Sequence, residues 1–233
     1  MKARFTFREL YDSGSMYAPL VEEVNELLIK LNPELELDYM KGYTNYSVLI
    51  HNVIAYNRCF WQLATAGEVY TAYPLIRLQA DNVRLLVAEY LYPNKVLSAT
   101  YDSGKDLNQI KAEQGITLSN AELNEKIGTL FVRFREIVKL YNQYAHPSKK
   151  HNLSWFNKSN KDEEAKEMRK AHRTIKRTVG EWDMVYLNRC IVHTLFLIKD
   201  RAIKSLGGGG VKEKDLMRSH PDYVRVENEK EPD

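Results

Sequence analysis

SNAELNEKIGTLFVRFREIVKLYNQYAHP, residues 119–147, holds the pattern that decides the fold. Ser119 followed by Glu122 predicts a capping box, in which each side chain satisfies a backbone donor left unpaired at a helix start. Leu123, Ile127, Leu130, Phe131, Phe134, Val138, Tyr141 and Ala145 then recur adjacent or three or four residues apart, as one buried helical stripe requires. Pro147 disfavours helical geometry at His146 and so predicts the end of a single long helix there.

Upstream, Leu20, Val24, Leu27, Leu28 and Leu31 predict a short helix that opens at Pro19 and stops at Pro33. Leu49, Val53, Tyr56, Phe60 and Leu63 predict a second and central helix from about Thr44 to Gly67, whose glycine suits a left-handed cap. A third is expected from Pro74 to Pro93, with Leu75, Leu78, Leu85, Leu86 and Leu91. Asn94 to Thr117 has Gly104, Gly115 and weak periodicity, and reads as a connection with one helical turn near Asp106 to Ala112.

Downstream, Ser148 to Lys161 reads as a polar loop and Asp162 to Arg177 as a charged, largely solvated helix. Gly180 is expected to break it before a core helix, Trp182 to Leu206, with apolar residues on two faces. Gly207 to Gly210 would begin a flexible polar tail with little to pack. The expectation is therefore an all-α bundle of about five main helices over residues 1–206, with 207–233 as linker and tail.

The 233 residues are 44% hydrophobic and 28% charged, which is globular rather than disordered composition. Cys59 and Cys190 fall inside apolar patterns, so both are expected reduced and mostly buried, and no metal or other cofactor is implied. The longest apolar run, Cys190 to Ile198, falls far short of the roughly 20 residues that span a bilayer, and a cytoplasmic protein is expected. The net charge of +3 excludes little, but Arg133 to Arg177 holds 13 Lys or Arg against 5 acids, a local excess of +8. With Tyr144, Trp155 and Phe156 interleaved, that stretch could follow an RNA backbone or another polyanion; a merely solvated charged face is the alternative.

Two constellations carry candidate chemistry. Arg135, Asn142 and His146 are seven and then four residues apart, which places them on one helical flank. His151, Ser148, Lys149 and Lys150 follow as candidate substrate contacts, and a histidine at a helix end can act as acid or base near neutrality. The competing reading makes His146 a cap on terminal carbonyls. In the Pro74 to Pro93 stretch, Arg77, Asp81 and Arg84 share a flank, with Asn82 and Glu89 as further polar groups that need partners. An Arg77–Asp81 bridge is the structural expectation, and one pocket shared by Arg77, Asp81 and His146 the functional one.

Arg77-x-x-x-Asp81-Asn82 and Tyr144-x-His146-x-Ser148-x-x-His151 together resemble an uncharacterised group of bacterial all-α proteins that is similar to a distant branch of the HEPN superfamily. The resemblance covers about a tenth of the chain. It implies a helical bundle, homodimerisation and, in many members, metal-independent RNA cleavage in toxin or phage-defence systems. The superfamily motif is an arginine, then a polar residue, then a histidine four to six positions after the arginine. Asn142 and His146 match the last two, Tyr141 occupies the arginine position, and Arg77 or Arg135 would supply the cation from elsewhere. A protein-interaction module with a structural polar core is the alternative that the residues leave open.

Overall fold

The computed structural model describes residues 44–93, 95–105, 109–110, 120–145, 163–205 and 207–222, with the helical backbone alone for 44, 120, 143–145 and 163–175. The expected helix from Pro19 to Leu31 and the residues from His146 to Lys161 lie outside the described residues. Seven helices and no strand are found among the described residues: α1 (Thr44–Thr65), α2 (Val69–Leu91), α3 (Val96–Ser103), α4 (Asn120–Leu130), α5 (Phe134–Ala145), α6 (Glu163–Ser205) and α7 (Glu213–Ser219). The fold class is all-α. No described helix is long and apolar enough to cross a membrane.

The hub is α2, which packs against α1, α3, α4, α5 and α6. Its buried face includes Ile76, Ala80, Val83, Leu86 and Val87, small and branched side chains that admit close neighbours on several sides. Helices α2 and α6 run parallel, because Tyr73 donates to the Lys176 carbonyl, Gln79 meets Asn188, and Arg201 reaches the Tyr90 carbonyl. Since α6 has 43 residues and α2 has 23, α6 is about 65 Å long against about 35 Å. Its first turns therefore extend past the start of α2.

A polar seam crosses the core where α1, α2 and α6 meet. Gln79 Nε2 donates to Asn188 Oδ1, Asn188 Nδ2 to Asn57 Oδ1 at 3.0 Å, and Trp61 Nε1 to the same Asn57 oxygen at 2.9 Å. Asn82 Nδ2 completes it by donating to Gln79 Oε1 at 3.1 Å. Buried amides are tolerated when partners are supplied in this way, and the pairing fixes the register of three helices at once.

Several boundaries differ from the sequence reading. α2 begins at Val69, so Pro74 lies inside it and costs one bond, to the Tyr70 carbonyl; burial of Val69, Ala72 and Tyr73 offsets that loss. The expected connection after Pro93 contains α3, whose cap comes from a distant residue. The single helix expected from Ser119 to His146 is two, broken at 131–133, where Tyr186 Oη accepts the Arg133 N–H at 3.2 Å. Gly180 breaks nothing: α6 runs through it, and a Cβ there would stand 3.0 Å from Tyr73 Cε1, so its role is close approach.

Cys59 is exposed and only Cys190 buried. The tail expected to pack little instead turns at Gly207 and Gly210, both at positive φ, and lays α7 and residues 220–222 against α6. Residues 223–233 lie outside the described residues.

Candidate functional site

Where α2 meets α4 and α5, the flank carrying Arg77, Asp81 and Arg84 forms one network. Asp81 Oδ1 accepts Arg84 Nη1 at 2.7 Å and pairs with Arg77 Nη1 one turn away. Arg77 Nη1 is buried in that ion-pair contact without an aligned hydrogen bond. Arg77 Nε donates to Asn142 Oδ1 of α5 at 2.5 Å, and Arg84 Nε to Asn124 Oδ1 of α4 at 2.8 Å. Arg84 also lies 5.9 Å from the Phe134 ring centroid. Burial and the neighbouring Arg77 charge lower the Arg84 pKa, while Asp81 opposes the shift.

Above this network lies an open cleft of about 690 Å³, walled by Asn124 and Ala121 of α4, Val132, and Arg135, Glu136, Val138, Lys139 and Asn142 of α5. The cleft and the network beneath it hold four cations, Arg77, Arg84, Arg135 and Lys139, against Asp81 and Glu136. Together these six groups carry a net charge of +2.

Of the residues singled out from the sequence, Asn142 and Arg135 line this cleft, while Arg77 and Asp81 lie in the network that Asn142 joins to it. Asn82 is in neither: it is buried and bonded to Gln79, on the side of α2 turned toward α1 and α6. His146, Ser148, Lys149, Lys150 and His151 fall outside the described residues. Asn124 and Lys139 carried no sequence signal of their own. Asn124 precedes Asn142 by 18 residues, which is the same helical face but about 27 Å away on an unbroken helix. The turn at 131–133 folds α4 beside α5 and brings both into one cleft.

Arg77→Ala is expected to lower stability by about 1.5 kcal/mol, since it leaves Asn142 Oδ1 without its donor and Asp81 with Arg84 as its remaining cation, while Asp81 is partly wetted. Urea denaturation checks this, and an unchanged midpoint would mean that Arg77 does not pin α5 to α2.

A second polar cluster lies where residues 216–222 meet α6. His193 Nδ1 is 2.8 Å from Ser219 Oγ, and its ring stands 4.9 Å from that of His220 in an edge-to-face arrangement. His220 Nε2 lies 3.0 Å from the Leu130 carbonyl and its Nδ1 accepts the Asp222 N–H at 3.2 Å. Both imidazoles are engaged in holding this segment down. Nearby, the buried Asp183 carboxylate accepts Tyr141 Oη and Arg133 Nη2, each at 2.9 Å.

No protein family, no curated protein and no solved structure matches this chain.

Proposed function

We propose that this chain binds RNA through the cleft between α4 and α5 and is a HEPN-like bacterial protein of a toxin or phage-defence system. One observation carries the reading: the Arg77–Asn142 hydrogen bond joins the Arg-x3-Asp-Asn helix to the helix that leads into the histidine segment. Arg135 and Lys139 stand on the wall beside it. Polyanion affinity comes from such grouped cations, which release counterions when a phosphate backbone replaces them.

In this proposal His146, four residues after Asn142, transfers the proton in metal-independent endoribonuclease chemistry. Asn142 orients it, and Arg77 or Arg135 faces the phosphate charge. Ser148, Lys149, Lys150 and His151 would contact the strand, and Asp81 would hold the arginines. A homodimer is the assembly the resemblance implies, and the cytoplasm is the proposed compartment. The competing reading, a protein-interaction module, draws on the same network, because Arg77 is already engaged by Asp81 and Asn142 as a pin between helices.

Incubating the purified protein with mixed RNA beside a His146→Ala variant tests the proposal. Cleavage by the parent alone, with RNA retained by both, is the expected result. Retention without cleavage reduces the function to binding. Equal cleavage by both proteins removes the enzyme, and no retention by either leaves the interaction module.

A further inference from the structure

We infer that Asn124 and Asn142 form a pair of fixed amide donors for a phosphate-type oxyanion, each held in orientation by an arginine behind it. The inference rests on the RNA reading only for the source of that oxyanion.

An arginine side chain has donors and no acceptor, so whichever amide atom it touches must be the oxygen. Arg84 Nε on Asn124 and Arg77 Nε on Asn142 therefore settle both amide orientations and leave each nitrogen as the atom that remains for the cleft. Among the described residues neither nitrogen has a hydrogen-bond acceptor. Both asparagines line the cleft, beside the cationic Arg135 and Lys139, which lie one turn apart on α5. Glu136 is the single carboxylate on that wall. The lining thus offers donors from two helices and little to accept a proton, a surface that suits an oxyanion better than a cation or a neutral sugar.

The arrangement also divides the labour of the cations. Arg77 and Arg84, bound to Asp81 and to the amides, are positioning residues, whereas Arg135 and Lys139 are exposed and free to meet charge. Holding the amides from behind removes the need to order them when the anion arrives, which is the usual route by which preorganisation raises affinity.

Asn124→Asp with Asn142→Asp is the discriminating substitution. It keeps an oxygen for each arginine and converts each arginine contact into an ion pair, so the fold is retained, but it replaces both donors with acceptors. Two probes are used, a fluorescent single-stranded RNA oligonucleotide and inorganic pyrophosphate, the latter read by thermal shift. The expected result is a melting temperature no lower than the parent's, RNA affinity reduced at least about tenfold, and loss of the pyrophosphate shift. Arg135→Gln with Lys139→Gln, on exposed positions, should reproduce the loss, and carries the comparison should the aspartate variant fail to fold. RNA and pyrophosphate binding unchanged in the folded aspartate variant would overturn the inference while leaving RNA binding by the chain intact. Pyrophosphate binding lost in the variants, with no RNA binding by the parent, would instead uphold the donor pair and remove RNA as its ligand.

Discussion

Replacing Glu89 with alanine is expected to lower stability by about 4 kcal/mol, more than any surface change in this chain. Glu89 is 3% exposed near the C-terminal end of α2, and its Oε2 accepts the backbone N–H groups of Val96 at 2.8 Å and Leu97 at 2.9 Å. Those are donors that every helix leaves unpaired at its start, and Lys95, the residue at the cap position of α3, supplies no side-chain bond. Hydrogen bonds to a charged group contribute roughly 1.5 to 3 kcal/mol each, and removing the acceptor strands two buried donors rather than returning them to water. Glu89→Gln keeps an oxygen in place and should lose only about 1 kcal/mol. Urea denaturation of the three proteins gives the ranking, and amide exchange at Val96 and Leu97 localises it. Equal midpoints for the alanine and parent proteins would show that α3 holds its start without the carboxylate.

The same contact explains why α3 was not legible in the sequence while α1 and α2 were. Apolar spacing from Leu49 to Leu63 and from Leu75 to Leu91 is a local signal, and the helices lie where it falls. A cap contributed seven residues upstream, across a turn, has no local signature. Gly180 misled for a related reason: a glycine that lets Tyr73 approach looks, along the chain, the same as one that ends a helix. The break at 131–133 was hidden because the apolar spacing of Phe131, Phe134 and Val138 continues across it. The group that answers the freed N–H of Arg133 is Tyr186, 53 residues away.

At the candidate site, the sharing of a flank by Arg77 and Asp81, and of another by Arg135 and Asn142, followed from helical spacing alone. That the flanks face each other, and that Asn124 joins them, depended on the α4–α5 turn. Asn82 stands apart from the cleft because adjacent positions on a helix point about 100° apart, which turns it into the core amide seam while Asp81 stays on the cleft side.

A second large effect concerns acid stability, where two buried groups are expected to oppose one another. Asp183 is held protonated to unusually high pH: burial raises its pKa from 3.8 to about 6, with Tyr141 and Arg133 pulling it back and Glu136 adding to the rise. Between those values the folded state binds more protons than the unfolded one, so this carboxyl adds stability as pH falls from about 6 toward 4. His193 behaves oppositely. Burial first, and the His220 ring second, lower its pKa from 6.5 to about 4, so the unfolded chain binds the extra proton and stability is lost as pH falls through that window. Each contribution amounts to about 2 kcal/mol between pH 7 and pH 4.5, and in the parent protein they nearly cancel. Single substitutions should expose them: relative to the parent, His193→Gln should gain about 2 kcal/mol on moving from pH 7 to pH 4.5, and Asp183→Asn should lose about as much. The comparison with the parent at each pH removes the titration of every other carboxylate, because those are common to all three proteins. Urea midpoints at the two pH values are the measurement, and variants whose pH response matched the parent's would show that neither buried group is forced from its ordinary protonation.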